Sequence, residues 1–152
     1  LHFLNNVSAS VGAVLKPAGF ENAQDIISTG YLKDPTDPQW KDDAGFKNWL
    51  AFVDKYMPGA DKTNANIVYG YNVAQGLVHL LKMCGDDLTR ENVMKQAASF
   101  KSVKFEMLLP GIKVTTGPED FAPIEQEQLQ KFQGDRWVLF GDIYDASKKA
   151  TN

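Results

Sequence analysis

Cysteine occurs once in this 152-residue chain, at Cys84, and arginine twice, at Arg90 and Arg136. A lone cysteine excludes an internal disulfide and any metal site built from several thiolates, while leaving the redox compartment open. With so few arginines, no basic run and a net charge of −3, the chain lacks the electrostatic footprint of a nucleic-acid binder. Long apolar runs are missing too. Stretches such as Leu50–Val53 fall far short of the roughly 20 residues that a membrane-spanning helix needs. There is no glycine-rich phosphate loop, no HExxH, no nucleophile elbow and no EF-hand pattern. Repeats and low-complexity tracts are also absent. What is present is the composition of one ordinary globular domain, 43% hydrophobic.

The longest coherent signal runs from Asn66 to Val93. From Val73 the apolar positions Ala74, Leu77, Val78, Leu80 and Leu81 recur at helical spacing in a wide stripe. Such a helix wants partners on most sides and is expected to be the central packing element, with Tyr69-Gly70-Tyr71 ahead of it. A Gly-Asp-Asp turn follows. Thr89 is expected to cap a further helix that points Val93, Met94, Ala97 and Phe100 inward.

Upstream, Leu1–Leu4 reads as a short strand, Asn5–Ser10 as a polar turn, and Val11–Lys16 as a short helix stopped by Pro17 and Gly19. Asp25–Leu32 reads as a second strand. Two Asp-Pro steps make Asp34–Trp40 (DPTDPQW) an extended connector. A helix from about Asp42 to Tyr56 follows, with Phe46, Trp49, Leu50, Val53 and Tyr56 on one face and Asp42-Asp43 at its positive end. Trp49, on that stripe, reads as core and not as a stacking platform. Downstream, Val103, Phe105 and Met107 alternate with Lys104 and Glu106, as in a strand with one wet face. Pro110-Gly111 breaks it, and Thr115–Pro123 is a loop. Glu125–Gln133 and Arg136–Ile143 then form a hairpin through Gly134-Asp135. The polar tail from Ala146 is expected to fray.

Catalytic chemistry is hard to assemble from these residues. His79 and Cys84 stand five positions apart on one helix, so they point in different directions and cannot form a dyad. A cysteine beside a helix C-terminus has its thiolate disfavoured by the dipole. The acidic pairs Asp86-Asp87 and Glu119-Asp120 fall in turns, where they read as solvated acid. No enzyme, metal site or cofactor is expected.

Strand, polar turn and helix at the start of the chain form the unit in which α/β proteins place ligands. Ser8 and Ser10 are candidate N-caps there. Three further stretches carry a family resemblance: YLKDPTDPQW (Tyr31–Trp40), YGYNVAQ (Tyr69–Gln75) running into CGDDLTRENVMKQ (Cys84–Gln96), and LLPGI (Leu108–Ile112). In this order and at these spacings they resemble the C-terminal part of type I periplasmic solute-binding proteins, the leucine/isoleucine/valine-binding type that serves ABC importers. The resemblance covers essentially the whole chain. It implies an α/β fold that is part of a Venus-flytrap of two Rossmann-like lobes, in a chain less than half the length of a full member.

On that resemblance, residues 1–33 belong to the second lobe, 34–114 to the helix-rich part of the first, and 115–152 return to the second. The Asp-Pro connector and the Thr115–Pro118 loop are then two of three hinge crossings. The first lobe's principal strands lie outside the chain, so apolar faces are expected to be exposed, with dimerisation or swapping of the piece as a consequence. The expected partners are a small-molecule ligand and a membrane ABC permease, in an extracytoplasmic (periplasmic) setting.

The resemblance also places an acidic residue that pairs the ligand's ammonium, in several members, near Asn5–Ser8. Here Asn5, Asn6 and Ser8 stand instead. Amides and hydroxyls suit a neutral or acidic ligand, which favours aromatic or other small organic acids over leucine-like amino acids. The ligand-binding candidates are Asn5, Asn6, Ser8 and Ser10, with Tyr69 and Tyr71 near the hinge. The function implied is binding without reaction, lobe closure being read by the permease. A ligand-sensing receptor domain of the same fold and a small α/β enzyme are the alternatives; the enzyme would depend on His79 or Cys84.

Overall fold

The computed structural model describes residues 1–147, so the expected fraying beyond Ser147 lies outside the described residues. Three strands, β1 (Ile27–Gly30), β2 (Gln126–Gln133) and β3 (Arg136–Asp145), form an antiparallel sheet in the order β1-β2-β3. Four α-helices, α1 (Lys16–Ala18), α2 (Ala44–Tyr56), α3 (Ala65–Cys84) and α4 (Arg90–Ala97), and four short 3-10 or π segments make up the helical part of the described residues. No helix among the described residues is long and apolar enough to cross a membrane.

The hairpin forms where the sequence places it. Gly134 takes φ +68°, the positive value that a two-residue hairpin asks of a glycine at its first central position. Phe132 then faces Trp137 across the pair, their rings edge to face at 5.4 Å. That pair, with Val11, Leu15, Ala23 and Ile26, makes the first core cluster. The Trp137 indole N–H donates to the Ala9 carbonyl at 2.8 Å, which ties the hairpin to the first turns of the chain. Near the far end of the hairpin the register slips between Gln128 and Leu129. Gly141, at φ +67°, sits on the other side of this irregularity.

The helices pack elsewhere. Asp43 caps α2 by accepting the Phe46 N–H at 2.8 Å, and Asn64 caps α3 by accepting from Asn66 N–H. Trp49 and Val53 of α2 meet Val68 of α3 and Met107 in a second cluster. All four side chains are fully shielded from solvent. A third cluster, around Phe100, Leu108, Leu109, Ile112 and Val114, lies between the helices and the far end of the sheet, with Leu139 and Ile143 of β3 packed against it. The exit from β1 runs beside this region: Leu109 N–H donates to Tyr31 O and Lys33 N–H to Met107 O, both at 2.9 Å.

Several local expectations are corrected. Val103–Met107 is not a strand; only Val103 bridges, to Val114. The N–H groups of Glu106 and Met107 are taken by the side chains of Gln75 and Asn72 of α3, so no ladder forms. Leu1–Leu4 is reduced to one parallel bridge between Phe3 and Ile27. Tyr69-Gly70-Tyr71 lies inside α3, not ahead of it. Tyr56 and Met94 face solvent. Most consequentially, α3 is buried along one side only. Tyr69, Val73, Leu77 and Leu81, one turn apart, are between 42% and 54% exposed.

Candidate functional site: a cavity beside the strand exit

A cavity of about 460 Å³ opens between the first turns of the chain, the end of β1 and the start of α3. That lies within the roughly 300–1,000 Å³ of small-molecule pockets. Its apolar wall comes from Val7, Ala9, Ala13, Val14, Leu32 and the rings of Tyr31, Tyr69 and Trp137. Polar groups converge from Asn6, Ser10, Thr29, Asn64, Asn66 and Gln130, with one base, Lys33, and one acid, Asp34.

Several of these polar groups are held. Ser10 caps the helical segment Val11–Leu15 by accepting from Ala13 N–H at 3.3 Å. The Asn6 amide donates to Glu127 Oε1 at 2.5 Å, joining the first turn of the chain to β2. Gln130 is buried and donates to Thr29 O at 3.1 Å. The Lys33 ammonium points away from use by a ligand, donating to Asp43 Oδ1 and to the Glu106 carbonyl at 2.5 and 2.8 Å. Asp34 accepts from Thr36 N–H and Oγ1–H at 2.7 and 2.6 Å. Burial pushes its carboxyl above the usual range, against the hydrogen bonds from Thr36 and from Val11 N–H that hold it down; nearby Asp37 adds to the rise. Burial also raises the Tyr31 hydroxyl, helped by Tyr69 and Glu127.

Of the six residues singled out in the sequence, the structure brings Asn6, Ser10 and Tyr69 to the cavity. Asn5 instead caps the turn Asn6–Ser8, accepting from Val7 N–H at 3.0 Å, and Ser8 is exposed within that turn. Tyr71 belongs to another network. Its hydroxyl donates to Glu106 Oε2 at 2.5 Å, beside Gln75 at 2.8 Å, while Asn48 holds the other carboxylate oxygen at 2.7 Å. Burial, the bond to Glu106 and its charge push the Tyr71 hydroxyl far above its ordinary value. Asn5, Ser8 and Tyr71 are therefore not among the residues that line this cavity.

The residues missed are Thr29, Lys33, Asp34, Asn64 and Gln130. One signal for Asp34 lay in the sequence: an acid placed where strand exit meets the first Asp-Pro step. Gly30 has its own reason to be bare, because a Cβ there would stand 2.8 Å from Gln130 Oε1. His79 packs edge-on against Phe100 at 5.1 Å, and Cys84 is buried and unpaired. Among the described residues, no group of three or more His, Cys, Asp or Glu is arranged to hold a metal.

No family model and no curated protein matches this sequence. Among solved structures, the chain matches a branched chain amino acid ABC transporter from Thermus thermophilus with bound valine. The TM-score is 0.69 at 12% identity. The chain carries part of that fold. The match covers 95% of this chain and 39% of the other, so the chain spans well under half the length of the protein it matches. The likeness is of the class that the sequence resemblance implies.

Proposed function

We propose that this chain is part of an extracytoplasmic solute-binding protein that serves an ABC importer and captures a small organic ligand without changing it. The observation that carries the reading is the cavity itself. It combines an apolar, aromatic wall with a few immobilised polar groups, on a chain whose backbone follows a transporter crystallised with an amino acid. Its ligand is a hydrophobic amino acid or an aromatic carboxylate, held against Tyr31, Tyr69 and Trp137 and oriented by Asn6, Ser10 and the start of α3.

In this reading residues 1–33 and 115–152 form part of one lobe and residues 34–114 part of the other. Closure of the two buries the ligand and presents a surface to the permease. The exposed face of α3 supports it, because a stripe of Tyr69, Val73, Leu77 and Leu81 asks for further protein against it. A sensory receptor of the same fold would use the same cavity.

The test is a thermal melt of the full-length gene product with a panel of hydrophobic amino acids and aromatic carboxylates. A ligand that binds only the folded form adds roughly 2.7 kcal/mol at a hundred times its dissociation constant, and a clear upward shift is expected for at least one class. A cooperative melt that no compound moves would overturn the reading.

A further inference from the structure

We propose that a second small-molecule site lies further along α3, and that it takes a hydrophobic carboxylate, a hydrocarbon tail carrying one acid. The site is a groove of about 390 Å³, within the size range of small-molecule pockets. It shares no lining residue with the cavity at the strand exit, so the inference stands apart from the solute-binding reading. Phe52 of α2, Tyr71 and Val78 of α3, and Phe105 form its apolar walls. The Phe52 and Tyr71 rings meet at 5.2 Å, which fixes one wall. Phe105 is seated against α3 where Gly76 leaves room, since a Cβ there would stand 3.4 Å from the Phe105 Cζ. Val78 remains 51% exposed and Phe52 37%, so apolar surface is left for a ligand to cover.

The charge of the groove selects the acid. Lys82 and Lys104 lie on its wall and, among the described residues, no Asp or Glu does, although the chain as a whole carries a net charge of −3. Neither lysine is in an ion pair among the described residues. Glu106 follows Phe105 in the chain, but its carboxylate oxygens already accept from Tyr71, Gln75 and Asn48. Gln75 is used at both ends, because its Oε1 accepts the Glu106 N–H. His79, also on the wall, packs edge-on against Phe100 at 5.1 Å. The unmet charges are therefore the two ammonium groups, one brought by α3 and one by the segment after Val103. Lys82 stands in the last turn of α3, where a cation also answers the helix dipole; Lys104 has no such role. Lysine stems extend an apolar wall while their ammonium groups stay at its wet edge. That division matches a ligand with its tail on the aromatic wall and its carboxylate at the rim. A cationic amphiphile would meet like charge, and a neutral one would gain the wall alone.

The experiment is calorimetric titration of the full-length protein with octanoate, 1-octanol and octylammonium. Wild type is compared with the double variant Lys82→Gln, Lys104→Gln, with Ala74→Trp and with Tyr69→Ala. Ala74 lines the groove, is exposed and belongs to no core cluster, so tryptophan there fills the groove and leaves the cores intact. Tyr69 lines the other cavity and serves as the control. Wild type should bind one equivalent of octanoate roughly tenfold or more tighter than 1-octanol, and octylammonium more weakly still. The double glutamine variant should erase the advantage of octanoate over 1-octanol without weakening 1-octanol. Ala74→Trp should abolish binding of both, and Tyr69→Ala should leave both unchanged. Absence of octanoate binding would overturn the proposal, as would a preference for the acid that survives loss of both lysines. Octanoate binding lost in Tyr69→Ala and kept in Ala74→Trp would assign it to the cavity at the strand exit and equally overturn the second site.

Discussion

The ammonium of Lys33 lies 2.5 Å from Asp43 Oδ1, with the lysine side chain 6% exposed and the aspartate 31%. The pair links the exit of β1 to the N-cap of α2, since the same Oδ1 accepts the Phe46 N–H. A third bond, from Lys33 to the Glu106 carbonyl, draws in the segment that seals the helical core. The ring of Trp40 lies 5.6 Å from the same ammonium. One buried cation therefore fastens three segments that are distant in sequence.

The two partners should not be equally replaceable. Asp43→Ala strips the buried ammonium of its counter-charge and the helix of its cap, and should cost about 3–5 kcal/mol. Lys33→Met removes the charge that is hard to bury and leaves Asp43 half-exposed with its backbone donor, so about 1–2 kcal/mol is expected. Urea unfolding of both variants checks the order. A Lys33→Met loss equal to or larger than that of Asp43→Ala would show that the ammonium, and not its isolation, carries the stability.

Acid should act on Asp43 and Asp34 in opposite directions. Burial works to raise the Asp43 carboxyl, but the Lys33 and Phe46 hydrogen bonds and the lysine charge outweigh it and hold it below the usual range. Its contribution is present above the unfolded value of about 4 and is lost as pH falls through the lower folded value. Asp34 is raised, so its contribution is present below about 4 and is lost as pH rises through its folded value. Removing the charge with Asp34→Asn should therefore stabilise the ligand-free protein at pH 7 and not at pH 3, whereas Asp43→Asn should destabilise it at pH 7. Melting curves at the two pH values decide it.

The parts of the fold legible in the sequence were those fixed by local chemistry. Asp43 and Thr89 cap helices, and Gly134 turns the hairpin, because each needs only its immediate neighbours. Trp49 is core because helical spacing puts it beside Val53. Val103–Met107 misled because alternation promised a ladder, while its N–H groups were claimed by Asn72 and Gln75 some thirty positions earlier in the chain. The cavity shows the same limit. Ser10 could be named from its capping signal, and Asn6 and Tyr69 from the family resemblance, but Gln130 reaches the cavity through the long-range pairing of β1 with β2. The bond of Tyr71 to Glu106 was likewise hidden, since the two stand 35 positions apart.

That network gives its own prediction. Tyr71→Phe should cost about 1–2 kcal/mol, since it removes one of three donors to Glu106 and leaves a charged acceptor less satisfied. It should not change ligand affinity. Tyr69→Ala, on the cavity wall and half-exposed, should do the reverse: weaker binding with little effect on stability. Titration and unfolding of the two variants separate a structural tyrosine from a ligand contact.

Gly12 tests whether the cavity closes. A Cβ at this position would lie 2.7 Å from Thr63 Oγ1 and 2.8 Å from the Thr63 carbonyl oxygen, so valine must push the two segments apart. Ala13 and Val14 follow Gly12, and Asn64 and Ala65 follow Thr63; all four line the cavity. If the two sides move as lobes, Gly12→Val holds the mouth open and weakens ligand binding about tenfold or more while the melt without ligand stays near wild type. In a rigid cavity the same clash would appear as roughly 1–3 kcal/mol of lost stability. The first outcome is expected.

The outer face of α3 yields the last prediction. Tyr69, Val73, Leu77 and Leu81 recur every turn and are about half exposed, and Gly70, beside Tyr69, has nothing within 4 Å of where a Cβ would stand. A helix that is apolar on both its packed and its open side resembles a buried one, so the open side should not stay in water. The 152-residue chain expressed alone should therefore self-associate in a concentration-dependent way, seen by light scattering. Val73→Lys with Leu77→Glu should return it to a monomer without lowering its melting temperature, because neither side chain belongs to a core cluster. In the full-length protein the same pair of substitutions should instead be severely destabilising, as charge placed against an interior surface is. A monomeric short chain, or a full-length protein indifferent to both changes, would mean that the face is simply solvated.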